Sequence, residues 1–88
     1  MPAPATPMKR SIGAVAREIQ QDWGNKVHFA AKPYLAAMAY LRDKDSTYGA
    51  DDAESVVIYF LSNARTYRTP KAAALKAELK SHFPGVGW

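Results

Sequence analysis

The chain has 88 residues and no cysteine, with 12 basic against 8 acidic side chains for a formal net charge of +4. This length supports one domain that buries roughly two-thirds of its unfolded surface and is marginally stable. Without cysteine there is no disulfide, thiolate metal site or cysteine nucleophile, and apolar runs such as Val56 to Leu61 are far short of the roughly 20 residues of a membrane span.

Residues 1–10 interleave Pro2, Pro4 and Pro7 with Ala3, Ala5 and Thr6, a composition that supplies neither a helical ladder nor an apolar face and predicts a disordered arm. Lys9 and Arg10 ahead of Ile12 to Ala16 imitate the start of a secretion signal, but Arg17 and Glu18 end the apolar stretch, so no targeting peptide is expected. Order is expected over residues 11–83, with 84–88 as a tail. Ser11 is a suitable N-cap for a first helix, whose core stripe is Ile12, Val15, Ala16, Ile19 and Trp23. Gly24 and Asn25 tolerate the left-handed conformation and close it.

Pro33 suits the first turn of a second helix carrying Tyr34, Leu35, Met38 and Leu41, and the turn formers between Asp43 and Gly49 predict a loop. Asp51 and Glu54 have capping-box spacing, which predicts a third helix from Ala53 to Tyr67. Its apolar residues fall on most faces, as in a buried central helix. The run Val56 to Phe60 has strand propensity as well, and a short buried strand is the competing reading. If the third helix is the core, truncating Leu61 to Ala costs about 2–5 kcal/mol. Thr69 is placed to cap, and Pro70 to open, a fourth helix with Ala72, Leu75, Leu79 and Phe83 inward. The predicted architecture is all-α, a small bundle of about four helices.

Charge is segregated. Residues 1–40 carry five basic and two acidic side chains, residues 41–60 two and five, and residues 61–88 five and one. The blocks either form an anion-binding face or neutralise one another in the fold. Asp51 and Asp52 are adjacent and point about 100° apart on a helix, which suits capping better than acid-base chemistry. His28 and His82 lack metal-ligand companions, and His82 near a helix C-terminus is suited to the dipole. No serine lies in a nucleophile elbow, and the glycines form no phosphate loop. No enzyme activity, cofactor or metal is expected.

Two binding readings remain. Arg65, Tyr67, Arg68 and Lys71 surround a turn, and Lys76 and Lys80 extend positive charge along the last helix, an arrangement suited to a nucleic acid with Tyr67 stacked on a base. The competing reading of the same residues puts Tyr67 in the core and pairs Arg65 and Arg68 with Asp43, Asp45 or the third-helix carboxylates. The other function is protein binding or self-assembly, motivated by 48% hydrophobic and 11% aromatic content, with Trp23, Tyr40, Tyr59 and Trp88 as anchors. Protein partner ranks ahead of nucleic acid, and homo-oligomers are compatible with either.

The strings Asp22-Trp23, Phe29, Pro33-Tyr34-Leu35, Ala37-Met38, Tyr48-Gly49-Ala50-Asp51, Tyr59-Phe60-Leu61-Ser62-Asn63-Ala64, Arg68 and Lys76-Ala77-Glu78-Leu79 resemble a family of small uncharacterised proteins of actinobacterial phages and prophages. The similarity covers about residues 12 to 83. Where this chain has Tyr67-Arg68-Thr69, the family pattern has Trp-Arg-Gly, so the turn before the last helix differs. The resemblance implies viral or prophage origin and action in the host bacterial cytoplasm. It implies no activity and assigns no functional residue.

Overall fold

The computed structural model describes residues 10–87. Four helices follow one another, α1 (Ile12–Trp23), α2 (Lys32–Met38), α3 (Ala53–Ser62) and α4 (Ala72–Lys80), with a short hairpin of β1 (Thr47–Tyr48) and β2 (Asp51–Asp52) between α2 and α3. α1 packs on α2 and α4, and α3 closes the arrangement by touching both α2 and α4. The predicted disordered arm lies outside the described residues except for Arg10, whose guanidinium bonds Glu18 at 2.7 Å and Glu78 at 2.6 Å.

The start of α1 is fixed twice. Ser11 Oγ accepts the Ala14 amide at 3.0 Å, as the sequence predicts. The amides of Ile12 and Gly13 donate at 3.0 and 2.8 Å to the carbonyls of Arg42 and Leu41, just beyond α2. Donors that a helix end leaves without partners are thus satisfied by the neighbouring chain. The approach leaves no room at Gly13, where a Cβ would stand 2.7 Å from the Ala39 carbonyl oxygen and 2.9 Å from that of Leu41. Gly24, at φ 63°, closes the helix and leads into a 3-10 turn over Gly24–Lys26.

The all-α expectation is corrected to a mostly helical fold with one small antiparallel sheet. Thr47 pairs with Asp52 and Tyr48 with Asp51 across a Gly49-Ala50 tip. Gly49 takes φ 63°, as the first tip position of a tight hairpin requires. The cap of α3 falls one residue later than the Asp51 and Glu54 spacing predicts: Asp52, the last residue of β2, places its Oδ1 to accept the Ser55 amide at 2.8 Å.

The helix reading of Val56 to Phe60 holds against the strand alternative, but α3 is shorter than the predicted Ala53 to Tyr67. Ser62 Oγ and Asn63 Nδ2 donate back to the carbonyls of Ile58 and Tyr59 at 2.9 and 2.8 Å, the local competition that ends helices at such residues. Nor is α3 enclosed on all sides. Val56, Val57 and Phe60 are buried, Ile58 and Leu61 are half-buried, and Tyr59 is exposed. Phe60, not Leu61, is the core residue there.

At α4 the predicted cap is also corrected. The helix starts at Ala72 with no side-chain cap, the Thr69 carbonyl accepts the Ala72 amide at 3.0 Å, and the Thr69 hydroxyl donates to Asp22. His82 is buried, and its Nε2 donates to the Arg10 carbonyl at 2.9 Å, tying the end of α4 to the chain before α1. Of the tail, Val86 packs against the core, and Trp88 lies outside the described residues.

Candidate functional site

The six residues of the basic junction have separate fates. Tyr67 exposes none of its surface. Its ring stacks on Trp23 at 4.8 Å and 26°, and Trp23 in turn meets Phe60 edge-on at 6.2 Å. Such ring pairs add about 0.5–1.5 kcal/mol beyond the area they bury. The Tyr67 hydroxyl donates to Asp22 Oδ2 at 2.6 Å, an oxygen that also accepts the Thr69 hydroxyl. Tyr67 is therefore a core residue, and the reading that stacks it on a base is corrected.

These bonds set the local electrostatics. The hydroxyl of Thr69, and after it that of Tyr67, hold the Asp22 carboxyl below the usual range. Burial, and then the bond to Asp22, push the Tyr67 phenol well above its ordinary value. The pair stays as phenol and carboxylate across the neutral range.

Lys71 Nζ lies 3.0 Å from Glu18 Oε2, joining the chain of ion pairs that links Glu18, Arg10 and Glu78. Arg65 is exposed, and its carbonyl accepts Arg68 Nε at 3.1 Å. Lys76 reaches back across the Tyr67 ring, 5.6 Å from its centre, to donate to the Ala64 carbonyl at 2.8 Å. Arg68, Lys76 and Lys80 nevertheless meet, lining one cleft of about 470 Å³ with Tyr67, Thr69, Ala72 and Ala73. Burial first, then the charges of Lys80 and Arg68, press the Lys76 ammonium below its ordinary pKa.

A second surface stands apart from this cleft. Tyr40 is 79% exposed, Tyr48 45% and Tyr59 51%. Tyr40 and Tyr48 lie ring to ring at 5.9 Å, and Tyr34 and Tyr59 at 5.5 Å. Tyr34 lies on α2 and Tyr59 on α3, whereas Tyr40 lies just past α2 and Tyr48 on β1. Tyr48 faces Asp51 across the hairpin, and directly opposed residues of a ladder share a face. Asp43, Asp45 and Glu54 are exposed in the same acidic stretch. Of the predicted anchors, Tyr40 and Tyr59 are at the surface, Trp23 is buried at the centre of the core, and Trp88 lies outside the described residues.

Sequence reasoning missed Tyr48 and Phe29 as exposed rings, the latter 79% exposed and stacked on His28 at 4.9 Å. The signal for Tyr48 was its place in a Gly-bearing turn. Among the described residues no helix is long and apolar enough to cross a membrane. Comparison with protein-family models, curated proteins and solved structures finds no match to this chain.

Proposed function

We propose that the chain is a small phage or prophage accessory protein that works by binding, in the host bacterial cytoplasm, and that its tyrosine edge docks on a basic surface of a host or phage protein. The observation that carries this reading is the Tyr40 and Tyr48 pair, two exposed rings 5.9 Å apart with Asp51 facing Tyr48 across the hairpin. Exposed tyrosines are the residue type that anchors protein interfaces, with a large rigid contact area and a polar tip. Carboxylates beside them favour a cationic partner and repel phosphate. The viral assignment rests on the sequence resemblance, and the binding mode on the tyrosine edge.

The test is retention from an actinobacterial host lysate on the tagged protein, with and without nuclease. A protein retained by the wild type and lost with Tyr40→Ser/Tyr48→Ser supports the reading, provided the variant keeps its helical circular dichroism. Retention that ignores those substitutions, or that nuclease abolishes, overturns it. Sedimentation of the isolated protein separates self-association from a foreign partner.

A further inference from the structure

We propose that the tyrosine edge is a docking site for the chain's own residues 1–9, which a partner must displace. This rests on the reading of that edge as a docking face and names what competes for it. The segment joins the fold at Arg10, the first described residue, and that point is held firmly. The Arg10 guanidinium bonds Glu78 through Nε and Nη2, both at 2.6 Å, and Glu18 through Nη1 at 2.7 Å. Its carbonyl accepts His82 Nε2 at 2.9 Å.

The attachment point lies beside the acidic stretch. The Ile12 amide, two residues on, donates to the Arg42 carbonyl at 3.0 Å, and Arg10, Arg42 and Asp43 line one cleft of about 540 Å³. Tyr40, two residues before Arg42, lines a neighbouring cleft of about 450 Å³ with Arg42, Asp43, Asp45 and Thr47. At no more than about 3.6 Å of backbone per residue, Arg10 and Tyr40 are within about 20 Å of each other. Nine residues at the polyproline rise of about 3.1 Å reach about 28 Å. The segment is long enough to pass over Tyr40 to Tyr48, whose ring lies 5.9 Å from that of Tyr40.

Composition and charge match the segment to the edge. Pro4 and Pro7 are three residues apart, one turn of a polyproline helix, so a segment bound in that form turns both pyrrolidine rings to the same side. Exposed Tyr40 and Tyr48 offer the aromatic surface. Such surfaces take proline-bearing segments because the ligand has little conformational entropy to lose. Lys9 precedes Arg10 directly and arrives where Asp43, Asp45, Asp51 and Glu54 are exposed. Residues 41–60 carry five acidic side chains against two basic, and Lys44, one of the two, already faces Asp45 at 3.3 Å. The tether supplies the rest. Contacts too weak to hold a separate peptide suffice when a short linker keeps the ligand at a local concentration of about millimolar.

The chain has no cysteine, so Ala5→Cys takes a single nitroxide label, and the test reads paramagnetic broadening of assigned backbone amides in the isolated full chain. Strong broadening is expected at Tyr40, Asp45 and Tyr48, unchanged on dilution. Most of it should be lost when Pro4→Ser/Pro7→Ser/Lys9→Gln is added to the labelled chain, and Tyr40→Ser/Tyr48→Ser should relieve it at Asp45. No broadening at the edge would overturn the proposal. Broadening that survives all these substitutions would do the same, because proximity at the tether would then account for it. Broadening that fades on dilution would assign the contact to a second copy and contradict the proposal as well. The first set of substitutions lies ahead of the described fold, and circular dichroism checks the tyrosine variant. No partner is present in this measurement, so the two readings fail separately. Broadening with no lysate protein retained sinks the protein-binding reading and leaves the intramolecular contact standing, whereas a retained protein without broadening sinks the contact alone.

Discussion

Trp23, Phe60 and Tyr67 are buried together, whereas Tyr40, Tyr48 and Tyr59 stand in solvent, and the charge of their neighbours in sequence does not decide which ring goes where. Tyr67 sits between Arg65 and Arg68, a setting open to a surface or a core reading, and it is fully buried. Tyr59 sits inside the apolar run Val56 to Leu61, yet half of it is exposed, as its place among the expected anchors requires. The difference lies in partners. Tyr67 has a ring to stack on and a carboxylate for its hydroxyl, so burial leaves no polar atom unsatisfied. Tyr59 falls on the outer side of α3, one residue before Phe60, and its ring meets the half-buried Tyr34. One set of rings holds the fold and the other is available to a partner.

The sharpest way to break this division is at its centre. Phe60→Ala should cost about 3–5 kcal/mol, enough to leave a domain this small largely unfolded, as followed by urea denaturation with circular dichroism. Leu61→Ala, next to it but half-buried, should cost clearly less. A reversal of that order would show that α3 faces the core through the other residue.

Gly13→Ala tests packing that owes nothing to the rings. Its new methyl meets two backbone oxygens closer than any ordinary contact, and overpacking of this kind costs about 1–3 kcal/mol or more. An unchanged urea midpoint would refute the close approach of α1 to the chain that leaves α2.

Tyr67→Phe keeps the stack on Trp23 and removes one donor to Asp22, for an expected loss of about 1 kcal/mol. It also has a pH signature. The Asp22 carboxyl is held low in the fold, so its contribution is present above about pH 4 and is lost as pH falls through the lowered folded value. Thr69→Val, which removes the first cause of that lowering, should flatten the acid loss more than Tyr67→Phe does. Thermal melts between pH 2.5 and pH 7, used as the scan range around the ordinary carboxyl pKa, check the order.

The smallest expected effect on stability is at the exposed set. Tyr48→Ser should change the urea midpoint by less than about 0.5 kcal/mol in equivalent stability, while removing half of the ring pair on which the proposed partner binding depends. A large loss of stability there would make the edge structural.

Much of the helical frame was legible in the chain. Ser11, Gly24 and Pro33 carry local signals that depend only on their neighbours, and they mark the ends of α1 and α2 as predicted. The illegible features depend on residues distant in sequence. Asp22 meets Tyr67 across 45 positions and Thr69 across 47, so no local pattern could show that a basic junction hides a core ring or that Thr69 is a donor and not a cap. Gly13 likewise answers to carbonyls beyond α2. The hairpin escaped notice because two residues per strand are too few for alternation to register. Of the six junction residues, Arg68, Lys76 and Lys80 do gather in one cleft, while Lys71 and Tyr67 were claimed by Glu18 and Asp22, partners from α1.

The most direct test of the division is a parallel measurement on Tyr40→Ser/Tyr48→Ser/Tyr59→Ser, its urea midpoint and its retention of any host-lysate protein that the wild type holds. The account predicts a midpoint near that of the wild type together with complete loss of the partner. A variant that unfolds, or one that stays folded and still holds the partner, would contradict it.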